Sequence, residues 1–161
     1  MRNFYRKNNR IFVSGLKKGR MMANTKILIV DDDIDYTLSL RAILENQHYD
    51  VITAINKTEG MEKARLLKPD LIILDVMMDR IQEGFEMSRE LRKEPEFKSL
   101  PILMLTSIDS VTGVGFKSAA GDEDTIPVNA YIDKPVEPQV LLAEIRKLLS
   151  GETGIDSEPE D

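Results

Sequence analysis

Side chains suited to phosphate chemistry follow four mainly apolar runs of the sequence, at the point where each run ends. Asp31 and Asp32 come after KILIV, Asp75 after DLIIL, Thr106 after PILML and Lys134 after NAYID. Clustered carboxylates offer hard oxygen ligands to Mg²⁺, which binds one or two of them together with phosphate oxygens. A carboxylate can also attack phosphorus to form an aspartyl phosphate, and a metal ion, a lysine and a hydroxyl stabilise the transferred group. The residue types therefore point to Mg²⁺-dependent phosphoryl transfer.

The runs that carry these residues alternate with segments of helical periodicity. Strands are predicted at 26–30, 49–54, 70–75, 101–106 and 129–134, and helices at 35–47, 58–67, 84–93 and 138–149. In the last helix we expect Val140, Leu141, Ile145 and Leu148 to face inward. Strands that are apolar on both faces and separated by helices form a parallel sheet covered on both sides. The pattern predicts an α/β fold, a doubly wound three-layer sandwich around a five-stranded parallel sheet, with its chemistry at the carboxyl ends of the strands.

Charge is distributed unevenly along the chain. Residues 1–26 contain eight Lys or Arg and no acid, whereas the rest contains 14 Lys or Arg against 28 Asp or Glu, a net charge of −14. An acidic body repels a phosphate backbone, so we expect no nucleic-acid partner. Residues 1–25 are expected to be a basic disordered extension and 151–161 an acidic disordered tail, which leaves 26–150 as one domain.

Two features of the composition exclude whole classes of site. The sequence has no cysteine and a single histidine, His48, which argues against a thiolate zinc site, a cysteine nucleophile or a His-based triad. The apolar runs fall well short of the roughly 20 residues that cross a bilayer, so we expect no membrane association and a cytoplasmic location.

Four segments of the sequence, ILIVDDD, PDLIILDVMM, PILMLTS and YIDKP, resemble the receiver domain of two-component response regulators, in particular the single-domain chemotaxis type. The resemblance covers residues 26–149 and implies a flavodoxin-like sheet with strand order 2-1-3-4-5. It also implies Mg²⁺ as the cofactor and a histidine kinase or phosphotransfer protein as the phosphoryl donor. Because no effector domain is apparent after residue 150, we expect the output to be a contact with another, unknown protein. We expect the chain to catalyse only its own phosphorylation and dephosphorylation and not to be an enzyme otherwise.

The resemblance assigns the acidic residues their roles. Asp75 would be the phosphoacceptor, and Asp31 and Asp32 would be the acidic pair that holds Mg²⁺. The backbone carbonyl of Met77 would be a further metal ligand, together with the Asp75 carboxylate. Asp32 would be the more direct ligand of the pair. Asp33, which follows them, is expected to cap the first helix.

The resemblance also assigns roles to the other strand ends. Lys134 would bind a phosphoryl oxygen, and its peptide bond to Pro135 would be cis, which an X–Pro bond tolerates. Thr106 would hydrogen-bond the phosphoryl group. Tyr131 would be the aromatic switch that turns inward on activation.

The chain departs from the family pattern in two places. Asp79 stands where a proline is common, so the loop beyond Asp75 is less constrained. The segment between Thr106 and Tyr131 is longer than usual and rich in glycine, so the helix expected there would be short or irregular.

The lifetime of the phosphorylated state can also be predicted. In the family, the side chains two places after the acceptor and two places after the threonine flank the path of the hydrolytic water. Those places hold Met77 and Ile108, and apolar groups there leave the water without hydrogen-bond partners. We therefore expect a long-lived phosphoprotein.

Two other classes of protein remain open. A haloacid-dehalogenase-type phosphatase has a strand followed by DxDx[TV], and residues 33–37, DIDYT, fit that pattern. Its nucleophile should directly follow the strand, however, whereas Asp33 lies two acids further on, and no suitable acidic motif follows Lys134. The other class is a receiver-like binding module that does not use phosphorylation, against which the complete set of strand-end residues counts.

Overall fold

Strands and helices alternate along the part of the chain that the computed structural model describes, residues 24–78, 83–107 and 128–151. The strands are β1 (Lys26–Val30), β2 (Asp50–Ala54), β3 (Leu71–Asp75), β4 (Ile102–Thr106) and β5 (Ala130–Asp133). The helices are α1 (Ile34–Glu45), α2 (Lys57–Leu67), α3 (Glu83–Lys93) and α4 (Pro138–Ser150), with a 3₁₀ turn at Pro95–Phe97. Within these ranges, every helix is too short or too polar to cross a membrane.

The five strands form one parallel sheet in the order β2-β1-β3-β4-β5. This confirms the predicted fold class and strand order. The chain leaves β1 toward β2 on one side and returns to β3 on the other, so the winding direction reverses between β1 and β3. Sites in open α/β sheets lie at such a reversal, outside the carboxyl ends of the strands. The acidic residues follow these two strands.

Helices cover both faces of the sheet and divide the core in two. On one face, Leu28, Ile72 and Met104 pack with residues of α2 and α3. On the other face, alternate residues of the same strands pack with residues of α1 and α4, and Tyr36 and Tyr49 contact this second cluster. Strands β1, β3 and β4 are almost completely buried because both of their faces are covered.

The helices begin and end close to the predicted positions, where capping residues, a proline and a glycine occur in the sequence. The side chain of Asp33 caps α1 and that of Asn56 caps α2, each accepting a hydrogen bond from a backbone N–H in the first turn. Helix α4 begins at Pro138 and is followed by Gly151 at φ 72°, a left-handed conformation that costs glycine little.

One expectation about packing is wrong. Val140 does not face inward: its side chain is 51% exposed, while Leu141, Leu142 and Ile145 are the buried residues of α4. Positions three or four apart lie on the same helix face, so Leu141, Leu142 and Ile145 form the buried stripe, Leu148 packs against the same cluster, and Val140 lies beside the stripe.

Candidate functional site

Three carboxylates meet at the carboxyl edge of the sheet. Asp31 and Asp32 follow β1, and Asp75 is the last residue of β3, the neighbouring parallel strand. A carboxylate oxygen from each of the three lies within 4.8 Å of the others. Asp31 and Asp75 are buried, with 1% and 6% exposure, whereas Asp32 is exposed. The arrangement places two buried negative charges beside a third that reaches solvent.

Lys134 joins the two buried carboxylates. Its Nζ lies 2.7 Å from Oδ2 of Asp31 and 3.4 Å from Oδ1 of Asp75. The residue follows β5, and its backbone N–H donates a hydrogen bond of 2.6 Å to the carbonyl of Thr106 at the end of β4. The peptide bond between Lys134 and Pro135 is cis. A residue more than a hundred positions from Asp31 in sequence is thus brought to the same edge by the order of the strands.

Asp31 is held from two sides. Its Oδ1 accepts the backbone N–H of Asp33 at 2.9 Å, and its Oδ2 accepts the Lys134 ammonium. Asp33 itself caps α1, accepting the backbone N–H of Tyr36 at Oδ1 over 2.9 Å. The carboxylate of Asp33, which a phosphatase would use as its nucleophile, is therefore engaged with the helix end.

The pocket formed by Asp31, Asp32, Asp75 and Lys134 brings together three carboxylates and one ammonium. Burial raises the pKa of Asp75 to about 6, and the charge of Asp31 adds to this, while Lys134 and the backbone N–H of Met77 act in the opposite direction. Burial by itself would lower the pKa of Lys134, but its hydrogen bond to Asp31 and the two carboxylate charges raise it above the usual value. One ammonium thus serves two buried carboxylates, with Asp32 close by. This hard-oxygen donor set, only partly neutralised by the protein, fits Mg²⁺.

Two further predicted residues flank the carboxylates. Thr106, 3% exposed, ends β4, the strand next to β3, and its register partner on β5 is Asp133. Tyr131 lies on β5 opposite Met104, and its half-buried ring packs against the core cluster on the α2 and α3 side. The structure places both residues within the strand pair that borders the pocket.

The comparisons with known proteins agree with this architecture. Residues 27–146 match the family model of the response regulator receiver domain. The chain belongs to this family. This receiver is similar to the protein PilH of Pseudomonas aeruginosa, with 33% identity over 126 residues that cover 78% of this chain and 98% of PilH.

Other relatives of this receiver are longer proteins or solved structures. The alkaline phosphatase synthesis transcriptional regulatory protein PhoP of Bacillus subtilis is 38% identical over 126 residues, 78% of this chain and 49% of PhoP. The chain thus spans about half the length of that relative. The structure of the Vibrio cholerae chemotaxis protein CheY4 has a TM-score of 0.67 and 30% identity, covering 78% of this chain and 99% of CheY4.

Two residues of the receiver pocket were missed by sequence reasoning. The ring of Tyr36 lies over the Lys134 ammonium, 4.4 Å from Nζ to the ring centroid. Gly84, near the start of α3, lies so close to the end of β3 that a Cβ there would be 2.1 Å from the carbonyl oxygen of Asp75. For Tyr36 the available signal was an aromatic residue in the first turn after the acidic run, and for Gly84 a glycine near a helix start.

Several predictions for this receiver lie outside the described residues. They concern the basic extension over most of its length, the acidic tail beyond Gly151, the loop position Asp79, the side chain of Ile108 and the helix expected between β4 and β5.

Proposed function

We propose that this chain is a phosphorylation-activated, single-domain response regulator in which Asp75 accepts a phosphoryl group from a histidine kinase or phosphotransfer protein. The observation that carries the proposal is the convergence of the Asp31, Asp32 and Asp75 carboxylates, with Lys134 bridging two of them. The alignment over 98% of PilH supports a receiver domain over residues 26–150, similar to a relative that this domain covers almost completely. The output is then a change in contacts with another protein.

In this mechanism an ionised oxygen of Asp75 attacks the phosphorus of the donor. The bond from phosphorus to the donor nitrogen breaks, and its electron pair leaves with the donor imidazole. Lys134, already 3.4 Å from Asp75, is placed to neutralise charge on the transferred oxygens. Much of the rate gain comes from positioning, because a carboxylate is a modest nucleophile.

Asp31, Asp32, Asp75 and the backbone carbonyl of Met77 are the groups that would hold Mg²⁺. Bound there, the ion supplies positive charge to the phosphoryl oxygens and relieves the repulsion among the carboxylates. The raised pKa of Asp75 supports this assignment, because ionising a carboxylate that is buried and lies beside Asp31 is unfavourable without a further cation.

The same proposal includes a switch. The Thr106 hydroxyl binds the new phosphoryl oxygens, and the ring of Tyr131 moves inward into the space that the threonine vacates. A local change of charge then selects one of two surface conformations, and the partner binds one of them better. The position of the Tyr131 ring against the core cluster supports a rearrangement at this place.

The test is labelling with a small acyl phosphate, with and without Mg²⁺. Wild type should be labelled only with Mg²⁺, and Asp75→Asn should lose the label. Asp33→Asn is the matched control, because asparagine also caps a helix and the change leaves the three clustered carboxylates in place. Undiminished labelling of Asp75→Asn would overturn the assignment. A wild type that binds Mg²⁺ but takes no label would favour the phosphorylation-independent module, and sustained hydrolysis of a phosphomonoester would favour the phosphatase.

A further inference from the structure

The ammonium of Lys134 has an aromatic neighbour besides its two carboxylates. Its Nζ lies 4.4 Å from the centroid of the Tyr36 ring, inside the range of about 6 Å at which a ring face attracts a cation. The same nitrogen lies 2.7 Å from Asp31 and 3.4 Å from Asp75. The ring therefore adds a third contact to a cation that already pairs with two carboxylates.

Tyr36 is fixed independently of Lys134. It is the third residue of α1, and its backbone N–H is bound by the capping carboxylate of Asp33 at 2.9 Å. Its half-buried side chain packs against the core cluster on the α1 and α4 side. Because α1 begins soon after the acidic run, its first turn lies over the pocket. The ring is thus a rigid surface against which a long lysine side chain can rest.

The groups that make this contact have little access to water. The Tyr36 hydroxyl oxygen is buried, and the Lys134 side chain is only 16% exposed. Burial raises the pKa of the hydroxyl, with the charge of Lys134 opposing, so the phenol is neutral at neutral pH. An electrostatic contact strengthens where water is excluded, so burial increases the influence of Lys134 on nearby negative charge.

We propose that Tyr36 is a positioning residue for phosphoryl transfer, whose ring holds the Lys134 ammonium between Asp31 and Asp75. A lysine carries its charge on a flexible four-carbon stem, so a favourable contact is needed to keep it at one place. The inference rests on the proposed function, because it assigns Lys134 to the transferred phosphoryl group. It adds a residue from α1 to the groups at the strand ends.

The kinetic test compares Tyr36→Leu, which removes the ring, with Tyr36→Phe, which keeps it. With Mg²⁺ and a small acyl phosphate, Tyr36→Leu should be labelled roughly three- to tenfold more slowly than wild type, the factor that a cation–π contact of ordinary strength represents. Tyr36→Phe should restore the rate to within about twofold. Tyr49→Leu is the matched control, because Tyr49 packs against the same core cluster but directly precedes β2, at the amino edge of the parallel sheet, whereas the pocket lies at the carboxyl edge. It should be labelled like wild type.

The second readout does not depend on phosphorylation. Protons near Nζ of Lys134 should be shifted upfield by the ring in the NMR spectra of wild type and Tyr36→Phe, and this shift should be lost in Tyr36→Leu. The Mg²⁺ affinity of Tyr36→Leu, titrated on the same samples, should not fall. An absent ring shift in wild type overturns the inference, as does wild-type labelling of Tyr36→Leu or an equal fall in labelling and Mg²⁺ affinity. A wild type that shows the ring shift but takes no label would instead count against the proposed function alone.

Discussion

At the scale of a single residue, the ionised form of Asp75 is unfavourable in the folded protein. Its pKa, raised to about 6, means that the folded protein binds a proton there more tightly than the unfolded chain does. As the pH rises from about 4 to about 6, the unfolded chain releases this proton first, and the folded state loses stability relative to it. Above pH 6 the folded protein carries an ionised, buried carboxylate next to Asp31.

Replacing this carboxylate should therefore stabilise the metal-free protein at neutral pH. With a chelator present, Asp75→Asn should raise the free energy of unfolding near neutral pH by up to about 3 kcal/mol. The gain should shrink as the pH falls from 6 toward 4, where the wild-type carboxyl is protonated in the folded state. Urea unfolding across this pH range measures it. The control is Asp33→Asn, at an exposed position. A gain in unfolding free energy that does not change with pH, or that equals the gain of this control, would show that the ionised Asp75 carboxylate is not its cause.

The residues of the site divide into those that sequence could predict and those that it could not. The acids, the threonine and the lysine follow strands, and parallel strands bring their carboxyl ends to one edge whatever the details of packing. Tyr36 lies on a helix, and whether its ring reaches Lys134 depends on how α1 sits over the sheet. The ammonium of Lys134 lies closer to Asp31, at 2.7 Å, than to Asp75, at 3.4 Å. The sequence could not predict this difference either, because it depends on side-chain packing.

At the scale of the elements, β3 and α3 meet so closely that only a glycine fits between them. A Cβ on Gly84 would lie 2.1 Å from the carbonyl oxygen of Asp75 and 3.0 Å from Cα of Val76, both backbone atoms. Backbone at the end of a central strand cannot move as a side chain can. The position of helix α3 and that of Asp75 are therefore mechanically linked.

Gly84→Ala should both destabilise the fold and impair the site. Overpacking of this kind costs about 1–3 kcal/mol, and the shift needed to relieve it displaces Asp75 itself. Urea unfolding should show the loss, and acyl-phosphate labelling should slow. Gly60→Ala provides the comparison, because the three atoms nearest to its Cβ would be side-chain atoms of Met87 and Val30, at 2.9–3.1 Å. Labelling that is equally slow in both variants would argue against a specific link to Asp75.

The periodicity of the sequence predicted every described strand and α-helix, with ends that differ by at most two residues. Apolar runs and capping residues carry that information locally. The outward position of Val140 could not be predicted from periodicity. An apolar residue next to the buried stripe of a helix has the same sequence pattern as a residue within that stripe. Which face of α4 meets the sheet is decided by the second core cluster as a whole.

At the scale of the whole molecule, the charged pocket and the global stability are coupled. The carboxylates lie within 4.8 Å of one another in the folded state and are separated in the unfolded chain. A cation that binds this cluster therefore stabilises the fold, by about 2.7 kcal/mol at a concentration a hundred times its dissociation constant. Mg²⁺ should thus raise the unfolding midpoint even though the pocket occupies only one edge of the sheet.

The decisive comparison is between wild type and Asp32→Ala, unfolded thermally in a Mg²⁺ series at constant ionic strength maintained with NaCl. The midpoint of wild type should rise with the logarithm of the Mg²⁺ concentration, whereas that of Asp32→Ala should stay nearly flat. Asp32 is exposed, so its removal leaves the core packing unchanged and reduces repulsion in the metal-free pocket. The variant should consequently fold without Mg²⁺. Because 28 Asp or Glu residues offer other places for a cation, an equal Mg²⁺ response in both proteins would assign the effect to the general acidic surface and not to the strand-end cluster.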